Sequence, residues 1–325
     1  MPSSAESNVS TTGLIEVSSL RPLRLILLGL PWLLMVLMAV RIYPSHMANL
    51  ALNGAVSHLT AQLGDLQRRQ AMPSFVLKRH RNAICYLYLT YTLEWPSKSI
   101  VRRLPHRMRV SGTGFLVAND IIASNRHVLE PWFGDPDDEQ QIREGAKPKI
   151  EKIVAFFPGL MDPVRLKDVR ISVDQDLAIA RLADGPLPDT FQPLPLAIRD
   201  SEPGDQVIVV GYPLGTSTML AKSPSDLYQR LASSKDTIQI ANELAANGMI
   251  RPSATCGHLS DVVGQKLIYD APTAKGGSGG PVFNGNGEVI GINSALIEGF
   301  DGGAIGIAAQ PLKPLIMSLQ HPSRR

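Results

Sequence analysis

Cysteine is scarce in this chain: its 325 residues include two, Cys85 and Cys256. Neither belongs to a CxxC pair, which excludes a zinc ribbon or a thioredoxin-type redox site. Two cysteines also form at most one disulfide, not a stapled framework. Charge of one sign is lacking as well. The 32 basic and 29 acidic residues nearly cancel, leaving +3 at pH 7, so composition supplies neither a nucleic-acid footprint nor an acidic tail. Only 19% of the residues are charged against 44% apolar, which suffices for a sizeable core in one to three domains. Turn chemistry is plentiful. The 27 glycines and 25 prolines argue against a long helical bundle and for many short strands.

The N-terminal region reads differently from the rest. Residues 1–24 open on a Ser/Thr-rich stretch with no hydrophobic period and read as a disordered tail. Arg21 and Arg24 then precede Leu25 to Val40, a run without charge. Extended by Ile42 and Tyr43, it approaches the roughly 20 residues that a bilayer-spanning helix needs. A transmembrane anchor over 25–43 fits better than a cleaved signal peptide, whose apolar region is about 7–15 residues and ends at a small-x-small site. Ala39-Val40-Arg41 makes a poor one. A buried soluble helix fits badly, because the run has no polar face. With two arginines before the span and only Arg41 close after it, the N-terminus is expected in the cytoplasm and the remaining chain outside. Over 44–74, Leu52, Val56, Leu59, Leu63 and Leu66 follow an a/d spacing. That pattern suits an amphipathic helix or a short coiled coil, which Pro73 is expected to close.

From Phe75 onward the period falls to two. Cys85, Leu87, Leu89, Tyr91 and Leu93 alternate with more polar residues, as a half-buried strand requires. Short apolar runs at 113–117, 121–124, 153–157, 177–182, 207–212, 266–270, 281–284 and 288–292 follow, punctuated by Gly, Pro, Asn and Asp. They predict an all-β sandwich or barrel. The Pro-rich stretch after Leu182 reads as a linker between two β halves, and the helix formers over 223–247 as a helical insertion in the second half.

Three stretches carry chemistry. In Gly276-Gly277-Ser278-Gly279-Gly280-Pro281 the glycines permit backbone angles that turn amides toward a developing oxyanion; by position the donors are the amides of Gly276 and Ser278. A serine hydroxyl attacks only when a base removes its proton. His127 follows the run 121–124, and imidazole, with an ordinary pKa of about 6.5, suits a base at neutral pH. Asp176 opens the run that starts at Leu177 and would orient the ring, with Asp174 as the rival acid. Each residue alone has a plainer reading: a flexible turn, a structural histidine, a strand cap. The order His, Asp, Ser joins them as in chymotrypsin-fold enzymes, and rejects an α/β-hydrolase even though Gly276–Gly280 fits a bare Gly-x-Ser-x-Gly pattern.

The motifs Ser124-Asn125-Arg126-His127-Val128, Asp176-Leu177-Ala178-Ile179 and Gly276-Gly277-Ser278-Gly279-Gly280-Pro281 resemble those of trypsin-fold (chymotrypsin-like) serine proteases, most closely the HtrA/DegP-like branch. Gly302-Gly303-Ala304-Ile305 is similar to that family's Gly-Phe-Ala-Ile strand. The resemblance covers about 80–316. It implies a protease domain over 75–325 built of two six-stranded antiparallel β-barrels, about 75–190 and 200–316, with a helical insertion in the second. It implies His127 as general base, Asp176 as its orienter and Ser278 as nucleophile, with protein or peptide substrates and neither cofactor nor metal. Homo-oligomers, trimers in particular, and a single-pass inner-membrane protein with its protease domain on the periplasmic side are expected. The specificity pocket is expected at Pro272, Asn293, Ala295 and Ile305, uncharged and small or aliphatic in the main. Three departures stand out. Gly277 replaces the family's usual Asn and implies a more mobile loop, the chain after Pro311 leaves no room for a PDZ domain, and the insertion is longer than the family's connection. A non-catalytic binding protein that kept the fold is the competing reading.

Overall fold

The computed structural model describes residues 21–96, 107–296 and 303–320. Most of the tail expected over 1–24 lies outside the described residues; its last four belong to a helix, α1 (Arg21–His80). The chain divides into two units at Leu66/Gln67. Among the described residues, α1 has one stretch, Gly29–Arg68, almost all of it in the first unit, long and apolar enough by length and composition to cross a membrane. The seam residues Leu52, Val56, Leu59, Leu63 and Leu66 are all exposed on it.

Pro73 does not close this helix, which runs on to His80. A proline inside a helix costs about 3 kcal/mol. Here tertiary packing offsets it. Val76 is fully buried, Met72 and Leu77 pack on the core of the second unit, and the His80 ring stacks on Phe283 with centroids 5.4 Å apart.

The second unit holds two closed six-stranded antiparallel barrels. The first comprises β1 (Ile84–Glu94), β2 (Met108–Ala118), β3 (Ile121–Ser124), β4 (Lys147–Phe156), β5 (Val164–Ile171) and β6 (Ala178–Leu182), in the order β1-β2-β3-β6-β5-β4. The second comprises β7 (Gln206–Gly211), β8 (Ser253–Val263), β9 (Lys266–Tyr269), β10 (Pro281–Phe283), β11 (Val289–Leu296) and β12 (Ala304–Ala308), in the order β10-β11-β12-β9-β8-β7.

β1 departs from the half-buried expectation: every residue from Ile84 to Leu93 is buried. Its second face meets protein. Tyr86 packs edge-on against Tyr212 at the start of the second barrel's first loop, and the Tyr212 hydroxyl donates to the Ile84 carbonyl at 2.9 Å. The stretch expected as a linker, after Leu182, is irregular but docked, with Leu194 N–H bonded to Leu116 O and Leu196 bridged to Val289. Cys85 and Cys256 lie on β1 and β8 and are both free.

The helical insertion expected over 223–247 is two helices, α5 (Ser225–Leu231) and α6 (Thr237–Ala246), and a further helix, α4 (Thr216–Ala221), precedes it; they are numbered after α2 (Arg126–Leu129) and α3 (Pro136–Arg143) in the first barrel. Pro224 separates α4 from α5, and Asp236 starts α6 by accepting from the Ile238 amide. Met219, Leu227, Leu231, Ala241 and Leu244 are buried, so these helices belong to the core. A terminal helix, α7 (Leu312–Gln320), is tied back to β6 where the Arg181 guanidinium donates to Leu319 O at 2.7 Å.

Candidate active site

β3 ends at Ser124, and Asn125, in extended conformation, caps the single turn α2 that carries His127. The Asn125 amide group donates to Asp176 O at 2.8 Å, fixing the two segments against each other. Asp176 sits just before β6 and receives three donors. The His127 amide reaches Oδ1 at 3.0 Å, while Oδ2 lies 2.8 Å from His127 Nδ1 and accepts from the Ser294 hydroxyl at 2.7 Å. Burial alone would push the Asp176 carboxyl up, but the His127 hydrogen bond and charge, then the Ser294 hydroxyl and the His127 amide, outweigh it and hold the pKa below the ordinary value. The depressed value stabilises the fold at neutral pH. That contribution is lost as the pH falls through the folded-state value, below the usual carboxylate range. Asp174, the rival acid, is exposed, and the bond to the ring is made by Asp176.

Ser278 lies in the loop before β10. Its hydroxyl donates to Ser294 O at 2.9 Å, and no hydrogen bond joins it to His127 among the described residues. The loop around it is tightly held. The carbonyl of Ser278 accepts from the Thr113 amide at 2.8 Å, Gly276 O from the Thr113 hydroxyl at 2.8 Å, and Lys275 O from the Leu214 amide at 2.7 Å. Gly276 has φ +91°, and a Cβ there would lie 2.7 Å from Tyr212 O, so both conformation and space demand glycine. Neither the Gly276 nor the Ser278 amide has an acceptor among the described residues. They are two free donors beside a hydroxyl, which is what an incoming oxyanion requires.

Gly277 is buried, its amide bonded to Ala274 O at 2.9 Å and its carbonyl to the Gly280 amide at 3.1 Å. A Cβ there would lie 2.6 Å from Thr273 Oγ1.

The four pocket residues are not brought together equally. Asn293 is buried beneath the loop, its amide group donating to Thr273 Oγ1 (3.1 Å) while its oxygen accepts from the Tyr269 hydroxyl (2.7 Å). Ala295 is exposed and pairs across β11–β12 with the half-buried Ile305. Pro272 is exposed, with its carbonyl accepting from the Thr255 hydroxyl at 2.7 Å. Asp270 is spent on the β8 backbone, accepting from the His258 amide at 2.5 Å.

Sequence reasoning missed Ser294 and Thr113. Ser294 lies between the pocket candidates Asn293 and Ala295, yet its hydroxyl serves the acid and its carbonyl holds the candidate nucleophile. Nothing local distinguishes a strand serine or threonine with such duties.

Two barrels with an acid–imidazole pair on the first and a serine loop on the second define the serine peptidases of the chymotrypsin type. The trypsin-like peptidase domain family matches residues 112–292, more than half of the chain, and the chain belongs to that family. A probable periplasmic serine endoprotease DegP-like of Chlamydia trachomatis is 27% identical over 216 residues, covering 65% of this chain and 33% of that protein. Its namesake in Chlamydia pneumoniae is 28% identical over 202 residues, covering 61% and 31%. The chain thus spans about a third of the length of these curated relatives. Among solved structures, the serine endoprotease of Yersinia pestis matches with 19% identity over 78% of this chain and 68% of that one, at a TM-score of 0.46. The active form of the Rv3671c protease of M. tuberculosis matches with 16% identity over 74% and 82%, at 0.45.

Proposed function

We propose that this chain is a membrane-anchored serine endopeptidase that works outside the cytoplasm. The observation that carries the reading is the hydrogen-bonded His127–Asp176 pair, linked through Ser294 to a glycine-rich loop with two unengaged amides at Gly276 and Ser278. In this reading a substrate carbonyl enters between Ser278 and those amides. His127 takes the Ser278 proton as the hydroxyl attacks, the oxyanion is held by the Gly276 and Ser278 amides, and His127 then protonates the leaving amine. Water repeats the sequence to release the acyl group. Asp176 stays ionised and holds the imidazole with Nδ1–H toward it. The span 25–43, in the first part of the apolar helix, holds the protein in the membrane, and the exposed seam Leu52 to Leu66 beyond it supports trimers.

The resting Ser278 hydroxyl, turned to Ser294 O, favours a second reading, a binding protein that kept the fold. One experiment separates the two: full-length protein in detergent is treated with a fluorophosphonate probe. Stoichiometric labelling at Ser278, absent in Ser278→Ala, is expected. No labelling under conditions where the chain is folded leaves the binding-protein reading standing. In parallel, the chain should stay in the membrane fraction through a high-salt wash, and its release by salt removes the anchor.

Cleavage is expected after small to medium aliphatic residues such as Val, Ala or Leu. Asn293, Ala295 and Ile305 carry no charge, and an unpaired ammonium beside them would cost several kcal/mol. One methylene discriminates only about 10–200-fold, so the preference is broad. A peptide library profile checks this. Dominant cleavage after Arg or Lys overturns it and makes Asp270, despite its bond to the His258 amide, the specificity determinant.

A further inference from the structure

Glycine at φ +91° does not hold itself in place, so the direction of the Gly276 amide is set by its neighbours. Two peptide planes meet at Gly276. The first, Lys275–Gly276, is fixed because Leu214 N–H donates to Lys275 O at 2.7 Å, which directs the Gly276 N–H the opposite way. The second, Gly276–Gly277, is held at both ends: Gly277 N–H donates to Ala274 O at 2.9 Å, and a side chain from the other barrel, the Thr113 hydroxyl on β2, donates to Gly276 O at 2.8 Å. The direction of that proton is determined. A hydroxyl has one hydrogen, and Thr113 Oγ1 also accepts from the Tyr212 amide at 3.0 Å, so the hydrogen goes to Gly276 O. The same residue's amide donates to Ser278 O at 2.8 Å, and its carbonyl accepts from the Ser124 hydroxyl at 2.7 Å. Thr113 is fully buried, so water cannot replace any of these bonds.

We infer that Thr113 is a positioning residue for the oxyanion hole: its hydroxyl and amide together clamp Gly276 and Ser278, on the second barrel, to the barrel that carries His127 and Asp176. The inference rests on the peptidase reading. Its energetic signature is specific. A clamp that sets donor direction acts on the tetrahedral state far more than on the bound substrate, so its loss lowers kcat and spares KM.

Thr113→Val keeps the branched shape and removes the hydrogen bonds of the hydroxyl. Removing a whole oxyanion donor costs about 10²–10³ in kcat, and misdirecting one costs less, so a fall of about 10–100-fold is expected with KM changed by less than about threefold. A peptidyl boronic acid, whose tetrahedral adduct places an oxygen in the hole, should weaken in parallel with kcat, while a product peptide binds as before. Thr113→Ser restores the hydroxyl and should return kcat to within about threefold. Full-length protein is used throughout, with the melting temperature as the check on folding. If the valine variant does not fold, Thr113→Cys, a smaller side chain with a weak donor, is read in the same way. Fluorophosphonate labelling of the parent chain comes first, and an unlabelled parent overturns the peptidase reading and this inference with it. In a labelled parent, a folded valine or cysteine variant with unchanged kcat, a loss confined to KM, or a serine variant as impaired as valine each overturns this inference alone.

Discussion

Ser278→Ala is expected to abolish turnover, a fall on the order of 10⁶ in kcat, with the melting temperature unchanged within about 2 °C. The structure gives the reason for the unchanged fold. The Ser278 hydroxyl makes one hydrogen bond, to Ser294 O in a half-buried site, while the bonds that hold the loop run through backbone atoms that alanine keeps. His127→Ala should cost as much, and the double variant no more than either single one, because nucleophile and base act as a unit. Single-turnover measurements on a peptide ester and a peptide amide would check all three. An alanine at 278 that leaves more than about 1% of the activity is incompatible with a serine nucleophile at that position.

Asp176→Asn is the second large effect, expected at about 10⁴ in kcat. The carboxylate now accepts three hydrogen bonds, from the His127 amide, the His127 ring and the Ser294 hydroxyl. An asparagine turns an N–H toward one of these donors. If it faces the ring, it favours the tautomer with its proton on Nε2, which cannot accept the serine proton. The depressed pKa of Asp176 keeps the carboxylate ionised through the neutral range, so the deficit of the asparagine variant should not disappear anywhere between about pH 6 and 8. Asp174→Asn should leave kcat unchanged, since Asp174 is exposed and the ring bond belongs to Asp176. A silent Asp176→Asn beside a damaged Asp174→Asn would reverse the assignment.

The barrels were legible where strands have a buried face written in apolar residues. β3 occupies Ile121–Ser124 as its run predicts, and β6, β7, β9 and β10 lie within a residue or two of theirs. Two strands gave no such signal. In β5, charged Arg165, Lys167, Asp168 and Arg170 surround Leu166, the one buried residue, and β8 likewise buries only Leu259. Their backbones are held by neighbouring strands rather than by a hydrophobic face. Pro73 misled for the converse reason, because a local breaker lost to the burial of Val76 beyond it. At the site, glycines and an imidazole in a recurring order announce His127, Asp176 and Ser278. Ser294 and Thr113 announce nothing, since a hydroxyl on a strand acquires its role from a partner far along the chain.

That separation bears on how the protein folds. The bond from the His127 amide to Asp176 spans 49 residues, from Ser294 to Asp176 118, and from the Thr113 hydroxyl to Gly276 163. Chains dominated by such non-local contacts fold slowly, on the order of milliseconds to seconds or longer, because loop-closure entropy must be met before the contacts form. Neither barrel alone contains both the imidazole and the serine. On the proposed peptidase reading, a nascent chain, or one with a single barrel closed, therefore has no assembled catalytic centre, and its own unfolded segments would be spared until the last long-range bonds have formed.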